Sequence, residues 1–187
     1  MRRGAPLASL PLALLAACAA DPVLLSPDDL DGVAVQVEQN SADALAPGWT
    51  WCSFLSPGVN SSPPVRGSRF SLEGGAQVGA SVLDRRDEGW SSDRLVERIE
   101  SQADQCALEA SDSLGTSIEP LDGLATGARG WRTADPEGRW GEYVVVKLDE
   151  WRVLAYGFAT DDADPPVDLD DLGDLARTGS ERFPLDG

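Results

Sequence analysis

The clusters of side chains in this sequence that could do chemistry are its carboxylates and its three cysteines, and its 187 residues include no histidine. Without imidazole, the commonest general base, proton shuttle and metal ligand is missing from every site. The densest acidic run is Asp161-Asp162-Ala163-Asp164, followed by Asp168, Asp170, Asp171 and Asp174. It offers the several oxygen ligands that calcium needs. The spacing does not complete a calcium loop. In a frame opening at Asp168, Asp170 and Gly173 fit, but Leu172 stands at a ligand position and Gly179 where the bidentate glutamate belongs. The run therefore reads as a solvated loop whose last carboxylates open a helix, and neither a metal nor a cofactor is expected. No Ser-Lys pair, phosphate-binding glycine loop or nucleophile elbow occurs with its flanking structure, so no enzymatic activity is expected.

Fifteen Lys and Arg face 32 Asp and Glu, a formal charge of −17. Such a field repels phosphate backbones, and nucleic acid is not expected as a partner. Of the six tryptophans, Trp49, Trp51, Trp131, Trp140 and Trp151 lie in or beside expected strands. Large aromatic side chains there supply core area by default. An aromatic-lined pocket between sheet and helix would be their second use.

The first residues read as an export signal. Arg2 and Arg3 form a basic start, Leu7 to Ala17 an apolar stretch, and the first acid, Asp21, comes only after Cys18. The stretch is too short to cross a bilayer, whose hydrocarbon core is about 30 Å thick. Leu15-Ala16-Ala17-Cys18 resembles the lipobox of bacterial lipoproteins. That resemblance implies cleavage before Cys18, a diacylglycerol thioether on its sulfur, and attachment to the outer face of the cell membrane. An anchor of at least two acyl chains attaches stably where one chain binds only marginally. Loss of residues 1–17 would leave 13 basic against 32 acidic residues, a charge of −19. Residues 18–27 are expected to form a lipidated N-terminus and short tether, in which Val23-Leu24-Leu25 is already apolar enough to pack on the domain that follows in 28–187.

With Cys18 lipidated, Cys52 and Cys106 remain as an even pair in a compartment where disulfides persist. A bridge between them would pin a helix to a strand and contribute roughly 4 kcal/mol through the unfolded chain's lost entropy.

The elements come next. Val33 to Glu38 and Trp49 to Phe54 read as strands, and Pro57 to Gly67 as a loop. Arg69 to Leu72 and Ala76 to Leu83 read as two strands turning at Gly74-Gly75. Ser92 is the expected cap of a helix to about Ala107, whose Leu95, Val96, Ile99, Ala103 and Cys106 share one face. Ser117 to Leu121 is a short edge strand broken by Pro120, and Ala128 to Thr133 leads into a turn at Asp135-Pro136-Glu137-Gly138. Trp140 to Leu148 and Trp151 to Thr160 form a hairpin whose loop extends beyond Asp149-Glu150. A last helix carries Leu169, Leu172, Leu175 and Ala176, with Asp168, Asp170 and Asp171 at its positive end. Strands, helix, strands, helix without βαβ alternation predict an α+β fold: an antiparallel sheet with helices packed on one face, in a single domain.

From Leu24 onward the chain resembles small lipid-anchored domains of actinobacteria, especially the extracellular sensor domain of membrane Ser/Thr kinases and a related PsbP-like lipoprotein family. The resemblance rests on Leu24-Leu25-Ser26-Pro27-Asp28-Asp29-Leu30, Trp49-Thr50-Trp51-Cys52, the helix ending at Cys106 and Val144 to Val146 before a final helix. Fourteen Arg against one Lys suits a GC-rich genome of that kind. It implies a non-enzymatic domain that binds a small ligand or another envelope protein in a helix-on-sheet cleft. The ligand-binding residues are left open.

Overall fold

Four residues in a row, Tyr143 to Val146, are buried although successive strand side chains point to opposite faces. A strand buried on both sides requires a cover on each face of its sheet. The computed structural model, which describes residues 24–30, 34–39, 66–113 and 115–182, shows how that is met.

Among the described residues, seven antiparallel strands form one sheet in the order β1-β2-β3-β7-β6-β5-β4. The strands are β1 (Ala34–Gln39), β2 (Arg66–Leu72), β3 (Gln77–Asp84), β4 (Ser117–Pro120), β5 (Ala128–Ala134), β6 (Trp140–Lys147) and β7 (Arg152–Thr160). Two meanders, β1 to β3 and β4 to β7, join where β3 pairs with β7 along its whole length, from Gln77 opposite Ala159 to Asp84 opposite Arg152. Helix α1 (Ser92–Ser113) links the central β3 to the far edge strand β4, and α2 (Leu169–Ser180) follows β7.

The local chemistry explains most boundaries. Gly74 and Gly75 take φ of 99° and 92°, which lets the β2–β3 turn close tightly, with Leu72 N–H donating to the Ala76 carbonyl at 2.8 Å. In the β6–β7 loop, the Asp149 carboxylate accepts from the backbone N–H of Trp151 and of Arg152, both at 2.9 Å. Leu148 and Trp151 belong to that loop, as expected from the lack of an Asn-Gly pair. Helix α1 is capped one residue earlier than expected: the Ser91 hydroxyl accepts from Arg94 N–H at 3.3 Å, and Ser92 is the first helical residue. It also runs to Ser113, beyond the expected end near Ala107, since no glycine or proline interrupts the chain before Gly115.

The α+β class and single domain hold, but the two helices lie on opposite faces rather than on one. Against α1 the sheet presents Leu83, Trp131, Tyr143, Val145, Val153 and Ala155, which meet Leu95, Val96, Ile99 and Ala103. Against α2 it presents Phe70, Val78, Val144, Val146, Leu154 and Phe158, which meet Leu172 and Ala176. An apolar stripe tells which side of a helix is buried, not which face of a sheet it covers. The two-sided burial of β6 and β7 decides it. Leu24 and Leu25, at 1% and 0% exposure, belong to the α2-side core, so the packed body reaches into the segment assigned to the tether.

Candidate functional site

Helix α2 and the segment before it build a half-open hollow with an apolar floor. Asp168 caps the helix through one oxygen that accepts from Asp170 N–H at 2.9 Å and Asp171 N–H at 3.2 Å. Its removal would cost the helix about 1 kcal/mol. Leu172 and Ala176 face the sheet and are fully buried. The flank bearing Asp168, Asp171, Leu175 and Thr178 instead lines a cavity of about 460 Å³. A volume of this order suits a small organic ligand.

Three elements close this cavity. The 3-10 turn at Pro27–Asp29 contributes Asp29 and Leu30, the end of β2 contributes Leu72, and the stretch entering α2 contributes Pro166 and Val167. The turn is itself held in place, because the Asp29 carboxylate accepts from Ser26 N–H at 2.7 Å. The floor is aliphatic: Leu30, Leu72, Val167, Leu172 and Leu175. The rim is acidic, with Asp29, Asp168, Asp171 and Asp174, and no basic side chain lines it among the described residues.

The opposite flank of α2 is packed tightly. The Tyr156 ring lies against Gly173, where an added β-carbon would come within 2.7 Å of it. Burial pushes the Tyr156 hydroxyl above its ordinary value of 10.0. Asp170 pushes it further, Arg177 opposes, and Asp174 adds to the rise. A tyrosine so placed stays neutral at physiological pH and acts as packing.

The acidic loop before α2 is used locally. Asp161 pairs with Arg139 at 3.1 Å, Asp162 N–H donates to the Thr160 hydroxyl at 3.0 Å, and the Asp162 carbonyl accepts from the Trp140 indole at 2.6 Å. Among the described residues no group of three or more candidate ligands is arranged to hold a metal ion.

Among the described residues, Trp131 and Trp140 are used in packing, and Trp131 also borders a concavity. Trp131 stacks on Tyr143 with ring centroids 5.5 Å apart and fills the space under α1, and Trp140 meets Phe158 edge to face at 5.2 Å under the other layer. A second, wider concavity of about 710 Å³ lies between α1 and residues 121–127, with Glu100 and Asp104 of the helix on one side, the loop on the other and Trp131 of β5 at its base. The ion pair of Arg129 with Glu100 bridges its rim, and Leu121 and Leu124 fold onto Gly130.

Cys106 is 7% exposed on the inner face of α1, as its helical spacing predicted. Cys18, Cys52, Trp49 and Trp51 lie outside the described residues. No described helix is long and apolar enough to cross a membrane.

The residues that line the α2 cavity carried weak signals in the sequence. Leu175 falls outside the stripe of Leu172 and Ala176, which marks a helix with two apolar flanks. That Leu30 and Leu72 meet it depends on chain closure over tens of residues, which no local pattern encodes. No family model matches this chain, and neither the curated proteins nor the solved structures contain a match to it.

Proposed function

We propose that this chain is a lipid-anchored, extracytoplasmic binding domain without enzymatic activity, which holds a small ligand in the cavity beside α2. The carrying observation is that cavity of about 460 Å³ with an aliphatic floor and a rim of four carboxylates. It combines apolar area for affinity with a few charged groups for selectivity, the usual composition of a ligand site. The lipobox-like Leu15-Ala16-Ala17-Cys18 and the resemblance to actinobacterial sensor domains support the location and the class. The absence of histidine from the chain supports a binding rather than a catalytic role.

The test is the intact mass of the protein extracted from its native membrane, measured under native and denaturing conditions. The reading predicts a non-covalent mass that is lost on denaturation, and a covalent diacylglycerol addition that maps to Cys18. Equal masses would instead favour a structural or protein-interaction lipoprotein with no small ligand. A Cys18→Ser variant that still partitions into detergent would contradict the anchor.

A further inference from the structure

We propose that the ligand of the α2 cavity is an organic cation, an ammonium or guanidinium group carried on an apolar body. This inference rests on the binding reading above and adds the chemical class. Its basis is the donor and acceptor inventory of the cavity wall. The polar side chains are those of Asp29, Asp168, Asp171, Asp174 and Thr178, four acceptors bearing charge and one hydroxyl. Asp168, Asp171 and Asp174 are exposed at the rim, where a ligand gains most by bringing charged donors to them.

Two further observations narrow the choice. A helix N-terminus ordinarily attracts anions through its free N–H groups. Here the N–H groups of Asp170 and Asp171 are already taken by the Asp168 carboxylate, whose own charge opposes a phosphate or carboxylate ligand at this end of α2. Asp171 and Asp174, by contrast, accept no hydrogen bond and join no ion pair among the described residues, although Arg177 lies on the same helix. Their charge faces the mouth of a hollow whose floor is Leu30, Leu72 and Leu175. Charge at the rim and hydrocarbon beneath match an amphipathic cation, and the chain's overall −17 raises the local concentration of cations.

The test uses three probes with one apolar body and different charge: phenethylammonium, phenethyl alcohol and phenylacetate. Each is titrated into the full mature chain in zwitterionic-lipid nanodiscs, with leucine methyl resonances as the readout. Phenethylammonium is expected to shift the Leu72 and Leu175 methyls and to bind about fivefold more tightly than the alcohol, the factor that two partly screened charge contacts give. Phenylacetate is expected to leave those methyls unmoved. Asp171→Asn combined with Asp174→Asn is expected to bring the ammonium probe down to the affinity of the alcohol while the alcohol itself is unaffected. Equal binding of ammonium and alcohol at Leu175 would overturn the cation proposal and leave the binding reading standing. A cation that shifts other resonances but not Leu72 and Leu175 would also overturn it. No shift from any of the three probes would remove both.

Discussion

The carbonyl oxygen of Leu24 lies directly over the α-carbon of Gly179, so close that a β-carbon at that position would collide with it. Next to this contact, Leu25 N–H donates to the Ser68 hydroxyl at 3.2 Å in the core. The segment that follows the expected lipidation site is thereby locked between the last turn of α2 and the sheet. Only five residues separate Cys18 from Leu24. At about 3.5 Å per residue, a lipid on Cys18 would hold the folded body within about 20 Å of the membrane surface.

Gly179→Ala is expected to lower stability by about 2 kcal/mol, because the obstacle is backbone rather than a side chain that can turn away. The midpoint of chemical denaturation checks this. An unchanged midpoint would mean that residues 24 and 25 are not packed on α2.

Asp149 gives a pH-dependent counterpart. Burial alone would raise its carboxyl, but hydrogen bonds from the backbone N–H of Trp151, the Arg152 side chain and the Arg152 backbone, with the Arg152 charge, hold it below the ordinary 3.8. A carboxylate with a depressed folded value stabilises the fold above its unfolded value, and the contribution is lost as pH falls through the folded one. Asp149→Asn is therefore expected to be less stable than wild type at neutral pH by up to about 1 kcal/mol. The difference should close as the pH is lowered below about 4. A gap that stays constant across that range would show that the charge of Asp149 is not involved.

On the α1 face, the Thr133 hydroxyl is fully buried and has no hydrogen-bond partner among the described residues. It sits on β5 between Ile118 and Gly141. Thr133→Val keeps the shape, removes the unsatisfied oxygen and suits a strand, so a gain of about 1 kcal/mol is expected in thermal or chemical unfolding. A loss of that size would show that the hydroxyl has a partner in solution.

Local elements were largely legible in the sequence, and their assembly was not. Gly74-Gly75 marks its hairpin because two consecutive left-handed residues are cheap only for glycine. Asp168 marks the start of α2 because an oxygen there meets free N–H groups. The alternation in β6 showed Tyr143 and Val145 on one face and Val144 and Val146 on the other. Apolar character on both faces was itself the sign of a sheet covered twice, and it outweighs the economy of placing both helices on one side. Ser91 and Ser92 are adjacent residues of the same type, so composition alone could not choose the cap. The cavity brings Leu30, Leu72 and Leu175 together from three distant parts of the chain, and no periodicity carries such information.

Cys106 lies on the buried stripe of α1, and the expected Cys52–Cys106 bridge predicts that alkylation of the unreduced native protein labels neither residue. Reduction should then destabilise the domain by about 4 kcal/mol. Labelling of Cys106 under native, unreduced conditions would contradict the bridge.

The most direct test places a cation of the protein's own in the cavity. Leu175 is half-buried on its floor, so Leu175→Arg puts a guanidinium among Asp171, Asp174 and Asp168 without opening the main core. The protein is extracted from its membrane and weighed intact under native conditions beside wild type, with its unfolding midpoint recorded. The predicted result is that the variant keeps its Cys18 lipid and its fold but loses the non-covalent mass that wild type carries. A folded variant that retains the same bound mass would place the ligand elsewhere and contradict the assignment of this cavity.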